Sequence, residues 1–440
     1  MKTTLKAGFG RTDITPELGV RLGGYGVEVR PGEEILDRLQ ATAIVLEQEG
    51  TIFAVINLDW ICVEEDIVER IRSGVSQRTG IPGMNVTVSA SHSHSVPCTL
   101  NFWGWGDREN AYIDSVLPEV IRSVELAKEN LCQVQAGFAV TTSLAGVNRR
   151  GITESGAFNF LADPDGSFDP AMTVVHFRSE AGDVGILVHY GAHPTAMGGN
   201  RLVSRDWCGV MKDRIESQFS APVLFLNGAI GDVGPRTNQR NGGGLSAGTG
   251  DGIHSVREVG YRAASDAIRA LLSIKEWRND LQLEVLNEEI FLPYAPLTPL
   301  ADAQREMAQW EPRKNEWGTP MCEYKHNQSV IEAHQHPLLA GRPFAQTILC
   351  LGPLAIIPMP GEIFSGISLR LRRSSPFSYT LCCSVSNGSL GYVPTREARH
   401  RGGYECWVGK AAGPYLLADH IDDALVEQNL KLLRASKLAR

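Results

Sequence analysis

The sequence predicts an α/β fold of layered sheets and helices, and three observations carry that prediction. Six apolar runs, at 51–58, 85–90, 184–190, 222–226, 354–358 and 379–385, are each short enough for a buried strand. Between them lie stretches whose apolar residues recur at helical spacing, with Val63, Ile67, Ile71 and Val75 within 62–77, and with 112–128 and 256–272 patterned alike. The two patterns alternate along the chain instead of segregating, as layered α/β proteins require. With 440 residues, 43% hydrophobic and 21% charged, the chain can bury a large core.

Taken in order, each run stops at a polar cluster. The run 51–58 precedes Asp59, 85–90 precedes Ser91-His92-Ser93-His94-Ser95, and 184–190 precedes Gly191-Ala192-His193-Pro194. The run 222–226 leads to Asn227 and Asp232, 354–358 to Met359-Pro360-Gly361-Glu362, and 379–385 to Asn387 and Tyr392. Ligands of α/β proteins bind outside the carboxyl ends of strands, so these clusters are where chemistry is expected.

The remaining stretches fill in the frame. A Gly-rich segment at 241–252 reads as a mobile loop placed to act as a lid over the Asp232 cluster. The segment 294–337, rich in Pro and charge, reads as a surface insertion holding one helix around 301–310. The final segment, 413–438, starts at Gly413-Pro414 and is periodic in Leu, Ile and Ala, so a closing helix is expected. No repeat or linker divides the chain, and a single domain over 1–440 is the expectation.

Charge and cysteine usage narrow the partners. A net charge of −8 argues against nucleic acid or an anionic membrane as the main partner and favours a small-molecule substrate. No run reaches the length of a membrane span, no integral membrane segment is expected, and a homo-oligomer is compatible with the composition. The nine cysteines include adjacent Cys382-Cys383 in a strand-like run, which suits small apolar core residues better than a disulfide framework. A cytoplasmic location follows as an expectation.

Two imidazoles, a carboxylate and a phenol at strand ends make a metal site the favoured reading. His92 and His94 are two apart and would face one side of an extended chain, although such a pair alone is equally served by hydrogen bonds to neighbouring loops. His193 suits a ligand or a satisfied core histidine, and Glu362 suits a ligand turned out by Gly361 or a carboxylate at the N-terminus of a helix over 363–372. Two imidazoles and a carboxylate point to Zn2+ before calcium or magnesium.

The strings Gly8-Phe9-Gly10-Arg11-Thr12-Asp13-Ile14-Thr15 and Gly23-Gly24-Tyr25-Gly26 open a series that continues with Asn57-Leu58-Asp59, Ser89-Ala90-Ser91-His92-Ser93-His94-Ser95 and Asn148-Arg149. It runs on through Ala192-His193-Pro194-Thr195-Ala196-Met197, Asn227-Gly228-Ala229-Ile230-Gly231-Asp232-Val233, Pro360-Gly361-Glu362 and Gly391-Tyr392-Val393. In their order these motifs resemble those of the catalytic domain of the neutral ceramidase family, from about residue 8 to about residue 430. The resemblance implies a zinc amidase fold in which His92, His193, Glu362 and Tyr392 hold the metal. It places His94 and Arg149 beside the ligands or against substrate, gives Asp59 a supporting role behind a histidine, and leaves the family's immunoglobulin-like C-terminal domain outside this chain.

Two positions depart from the family pattern, Gly234 and Arg236. The family's Gly-Asp-Val-Ser-Pro-Asn stands here as Gly231-Asp232-Val233-Gly234-Pro235-Arg236, so the serine that resembles the catalytic residue is a glycine with nothing to acylate. A metal site can work without it, by activating water. His94 or Asp232 then serves as general base or acid, while Arg149 steadies developing charge and Arg150 and Arg236 bind an anionic substrate group. Trp103 and Trp105, in Phe102-Trp103-Gly104-Trp105-Gly106, would stack on a sugar or hold a short acyl chain. Gly244-Leu245-Ser246-Ala247-Gly248 has the spacing of a nucleophile elbow, but no strand precedes it.

Three functions are compatible with this reading. The first is a zinc hydrolase that cleaves an amide or related acyl bond of a small, anionic or sugar-like substrate with metal-activated water. The others are a metal-dependent lyase or glycan-processing enzyme acting on an acidic sugar, and a binding protein that has lost catalysis.

Overall fold

The computed structural model describes residues 4–25, 30–101, 107–152, 161–239 and 252–439. The main strands in chain order are β1 (Lys6–Asp13), β2 (Gln40–Gln48), β3 (Thr51–Leu58), β4 (Val86–Ala90), β5 (Gln135–Thr142), β6 (Gly146–Asn148), β7 (Ala171–Ser179) and β8 (Gly182–Tyr190). They continue as β9 (Val223–Asn227), β10 (Val233–Pro235), β11 (Leu283–Pro293), β12 (Gly341–Leu351), β13 (Leu354–Pro358), β14 (Glu362–Ile363), β15 (Tyr379–Cys383) and β16 (Tyr392–Val393). The helices are α1 (Glu65–Thr79), α2 (Asn110–Glu129), α3 (Asp206–Phe219), α4 (Gly252–Leu272), α5 (Leu300–Trp310), α6 (Thr319–Ala333), α7 (Ser365–Ser374), α8 (Arg396–Arg401), α9 (Tyr404–Val408) and α10 (Ile421–Ala435).

Three larger sheets carry the fold, in the orders β4-β3-β2-β1 with the short strand Cys132–Gln133 beyond β1, β9-β8-β7-β5 and β11-β12-β13-β15. Each sheet contains one parallel pair, β3 with β4, β8 with β9, and β13 with β15, and its other neighbours are antiparallel. These six strands are the six apolar runs of the sequence. Their carboxyl ends are laced together across sheets by backbone hydrogen bonds: Ala90 N–H to Val385 O, 3.1 Å, Asn387 N–H to Val88 O, 2.8 Å, and Ser384 N–H to Asn227 O, 3.0 Å.

The runs are continuous in apolar residues because both faces of each sheet are covered. One face of all three sheets meets a shared central core, where Phe53 and Val55 of β3 join Leu187 of β8, Leu224 and Leu226 of β9, Leu354 and Ile356 of β13, and Leu381 and Cys383 of β15. The alternate residues turn outward onto helices: Ala54, Ile56 and Leu58 pack with Ile67, Ile71 and Val120 of α1 and α2. Val223 and Phe225 meet Met211 of α3 and Val259 of α4, and Ala355 and Ile357 meet Ile367 of α7 and Leu425 of α10. Each such Val, Leu, Ile, Phe or Met side chain contributes about 1.5–3 kcal/mol when fully buried, so a strand buried on both faces is held from two sides.

The segment 294–337 holds two helices where the sequence reading expected one, because α6 reads Thr-Pro-Met-Cys-Glu-Tyr-Lys-His and carries no apolar stripe to mark it. The closing helix α10 begins at Ile421, later than the Gly413 start suggested. Cys382 and Cys383 lie buried in β15, and all nine cysteines are free. The loop 241–251, with Ser246, and Trp103 and Trp105 lie outside the described residues. No helix among the described residues is long and apolar enough to cross a membrane.

Candidate metal centre

The laced strand ends bring together the side chains the sequence singled out. His92 and His94 follow β4, and His193 follows β8. Glu362 and Tyr392 open β14 and β16, a short parallel pair in which they are direct register partners, so their side chains leave the same face side by side. Gly361 allows this by its bareness: a Cβ there would sit 2.7 Å from Gly391 O, in the backbone of the partner loop. His92 departs from the extended chain the sequence suggested and takes φ +69, a left-handed conformation that costs a non-glycine residue about 1–3 kcal/mol. Both imidazoles nevertheless converge.

The hydrogen bonds fix which nitrogen faces the centre. Nδ1 of His92 lies 2.6 Å from Ile61 O, Nδ1 of His94 lies 3.0 Å from Gly24 O, and Nδ1 of His193 lies 2.7 Å from Ile230 O and 3.2 Å from Val233 O. A carbonyl only accepts, so each Nδ1 carries the proton and each Nε2 offers a lone pair. This is the arrangement that orients imidazoles towards metals.

The donor atoms form a chain of short edges. His92 Nε2 is 3.4 Å from Glu362 Oε2, Glu362 Oε2 is 2.9 Å from His193 Nε2, and His193 Nε2 is 3.5 Å from Tyr392 Oη. Donors bound to one tetrahedral ion at about 2.0–2.2 Å stand roughly 3.3–3.6 Å apart, close to this spacing. His94 Nε2, 3.4 Å from His92 Nε2, is near enough to be a further donor, and the ligand atoms of His92, His94 and His193 lie within 4.8 Å of one another. Glu362 Oε2 is buried yet makes no hydrogen bond among the described residues. Facing electron-rich atoms at such distances repel unless a proton or a metal ion lies between them, and these residues could hold a metal ion.

With no cation bound, the protein's own groups balance the Glu362 charge with a proton on His92, which a metal ion at the same point would displace. Burial opposes ionisation of Glu362, but the neighbouring His92 charge outweighs it and holds the carboxyl well below its ordinary range. Burial likewise opposes the His92 imidazolium, and Glu362 overcomes it, raising His92 to about 10. Burial drives His94 well below its ordinary value and, with Arg149 adding to it, takes His193 to about 3. Burial pushes the Tyr392 phenol up, against the pull of Arg149.

The other residues predicted from the sequence are distributed as follows. Arg149 Nη2 donates to Tyr392 Oη at 3.0 Å and to Gly231 O at 2.8 Å, directly behind the centre. Arg150 turns away into Glu405, Ala398 O and Gly402 O and lies over the Phe364 ring. Asp232 Oδ1 accepts from Ser365 N–H and Oγ–H at 2.8 Å each, which makes it a cap on the first turn of α7. Gly234 follows Val233, whose carbonyl faces His193, and Arg236 comes two residues later, half-buried. Asp59 does not stand behind a histidine; its Oδ2 accepts from Gln40 N–H at 3.0 Å and pairs with the fully buried Lys212 at 3.5 Å.

Sequence reasoning missed Glu405 and Tyr404 of α9 and the thiol of Cys62, 4.0 Å from His92 Nδ1. Glu405 is 4% exposed and reaches both Arg149 and Arg150. A glutamate in a charged C-terminal stretch gives no local sign of burial. An apolar cleft bounded by Ile61, Leu100 and Val408 opens onto His92, Glu362 and Tyr392.

The model of the neutral/alkaline non-lysosomal ceramidase family, N-terminal, matches residues 5–244. Among solved structures, the neutral ceramidase from Pseudomonas aeruginosa superposes with a TM-score of 0.75 at 18% identity, covering 98% of this chain and 74% of that one. A ceramidase complexed with C2 gives 0.74 at 18% identity, covering 97% and 74%. No curated protein sequence matches the chain.

Proposed function

This chain belongs to the neutral/alkaline non-lysosomal ceramidase family, a family of amide-bond hydrolases, and from that premise we propose that it is a zinc-dependent hydrolase using water in place of a serine nucleophile. The observation that carries the reading is the set of imidazole lone pairs and the unbonded Glu362 oxygen facing one point inside a buried cluster. His92, His193, Glu362 and Tyr392 would hold the zinc ion, which would supply Lewis acidity and bring the pKa of water towards about 7. The glycine at 234 removes the alternative of acylating a side chain there.

The chain's own groups supply the rest. His94 Nε2, proton-free because Nδ1 is held on Gly24, takes a proton from the attacking water and returns it to the leaving nitrogen. Arg149 keeps Tyr392 Oη in place and offsets negative charge that develops on the substrate carbonyl oxygen. The apolar side chains of Ile61, Leu100 and Val408 border His92, Glu362 and Tyr392. Arg236 remains the cation for an anionic substrate, since Arg150 is committed to Glu405. Trp103 and Trp105 would frame a small acyl or sugar-like substrate.

Two results test this. Hydrolysis of a panel of N-acyl amino acids and N-acyl amino sugars in 18O-labelled water is expected to place one label in the released carboxylate, and to stop on chelation. A product with a new ultraviolet-absorbing carbon–carbon double bond and no label would instead mark a lyase. His94→Gln is expected to keep zinc at wild-type stoichiometry while turnover drops by about 10²–10⁴, the range of a lost acid–base group. Zinc lost along with turnover would make His94 a ligand. Ser246→Ala is expected to leave turnover near wild type.

A further inference from the structure

We propose that Glu405 is a positioning residue for the metal centre, acting through Arg149 on Tyr392. The inference rests on the zinc reading above, and four features of the structure carry it.

Arg149 and Arg150 are consecutive, and consecutive side chains at the end of a strand normally diverge to opposite faces. Here both guanidinium groups turn to one carboxylate, Arg149 Nε at 3.4 Å from Glu405 Oε1 and Arg150 Nη1 against Glu405 Oε2. All three side chains are buried, at 3%, 9% and 4% exposure. Two buried cations side by side need a shared anion, and among the described residues Glu405 is the carboxylate paired with both.

The clamp points at the centre. Arg149 Nε stands beside Glu405 as an ion pair without hydrogen-bond geometry, while Nη2 meets Tyr392 Oη at 3.0 Å and Gly231 O at 2.8 Å. Its planar fork makes these directions interdependent, so releasing one side frees the other. Tyr404, next to Glu405 on α9, packs edge-on against the Tyr392 ring with centroids 5.8 Å apart, so α9 braces the phenol directly and through Arg149. Arg150 fastens α9 in turn, by bonding Gly402 O just before it and Ala398 O in α8.

The test measures zinc affinity by competition with a chromogenic chelator, on the full chain, for wild type, Glu405→Gln, Glu405→Ala, Tyr392→Phe and the Glu405→Gln/Tyr392→Phe double variant, with melting temperatures alongside. Glu405→Gln keeps the shape and removes the charge. The expected result is zinc binding weakened about 10–100-fold in Glu405→Gln, as for other groups that orient a ligand from behind, with the melting temperature nearly retained. The same change is expected to add little in the Tyr392→Phe background, because its route is then already cut.

Equal zinc affinity in wild type and Glu405→Gln overturns the inference, as does an undiminished effect in the Tyr392→Phe background. Failure of both single Glu405 variants to fold would make Glu405 a brace of the fold and overturn it too. A wild-type chain that binds no zinc sinks the metal reading itself, and the inference with it, which distinguishes the two failures.

Discussion

Glu362→Ala and His193→Ala are each expected to yield folded protein that no longer retains zinc and no longer turns over substrate. The reason lies in how the site is held. Each imidazole is anchored through Nδ1 to a backbone carbonyl, and those anchors survive loss of Glu362. What is lost is the single charged donor, whose Oε2 faces both His92 Nε2 and His193 Nε2. Removing a ligand outright is expected to exceed the ~10–100-fold loss of affinity that follows from removing a group behind one. Metal analysis of the dialysed variants, with melting curves to show that they are folded, checks the prediction. Wild-type zinc content in either variant would contradict the ligand assignment.

Gly10→Val is expected to destabilise the chain by more than the ~1–3 kcal/mol usual for overpacking, with Gly8→Ala following in the same direction. Gly8 and Gly10 share one face of β1, and α2 lies directly on it. A Cβ on Gly10 would come 2.1 Å from Ser123 O and 2.5 Å from Ala127 N, and one on Gly8 would come 2.1 Å from Ala127 O. These neighbours are helix backbone, which cannot rotate aside as a side chain can. The whole of α2 would have to lift, uncovering Val120, Val124 and Ala127, which it now buries. Denaturant midpoints of the variants measure the effect, and an unchanged midpoint would contradict this packing.

The sequence was most legible where local pattern and tertiary environment coincide. The six parallel-paired strands announced themselves as unbroken apolar runs because both of their faces are covered, and α1, α2 and α4 announced themselves by one apolar stripe each. The grouping of those strands into three sheets was not legible, since it is set by pairings such as β13 with β15 across an intervening helix. The candidate site residues were singled out because each lies in a polar cluster that follows an apolar run and in a motif that resembles the family's. The geometry between them was not, and His92 reaches its place through a backbone conformation that no propensity predicts.

Buried charge was the main blind spot. Lys212 occupies a helix that reads as half surface, Met-Lys-Asp-Arg, yet is wholly buried against Asp59. Arg150 read as a cation for substrate, while its guanidinium is consumed by Glu405 and two carbonyls. In each case the partner lies far away in sequence, so nothing within a local window distinguishes a paired interior charge from a solvated one.

The central claim is that imidazole, carboxylate and phenol donors share one zinc ion. X-ray absorption at the zinc edge of the purified chain tests it most directly. The account predicts one zinc per chain, bound only by nitrogen and oxygen at about 2.0–2.2 Å, with the outer-shell scattering of imidazole rings. Absence of zinc, or sulfur in its coordination shell with Cys62 so near His92, would contradict it.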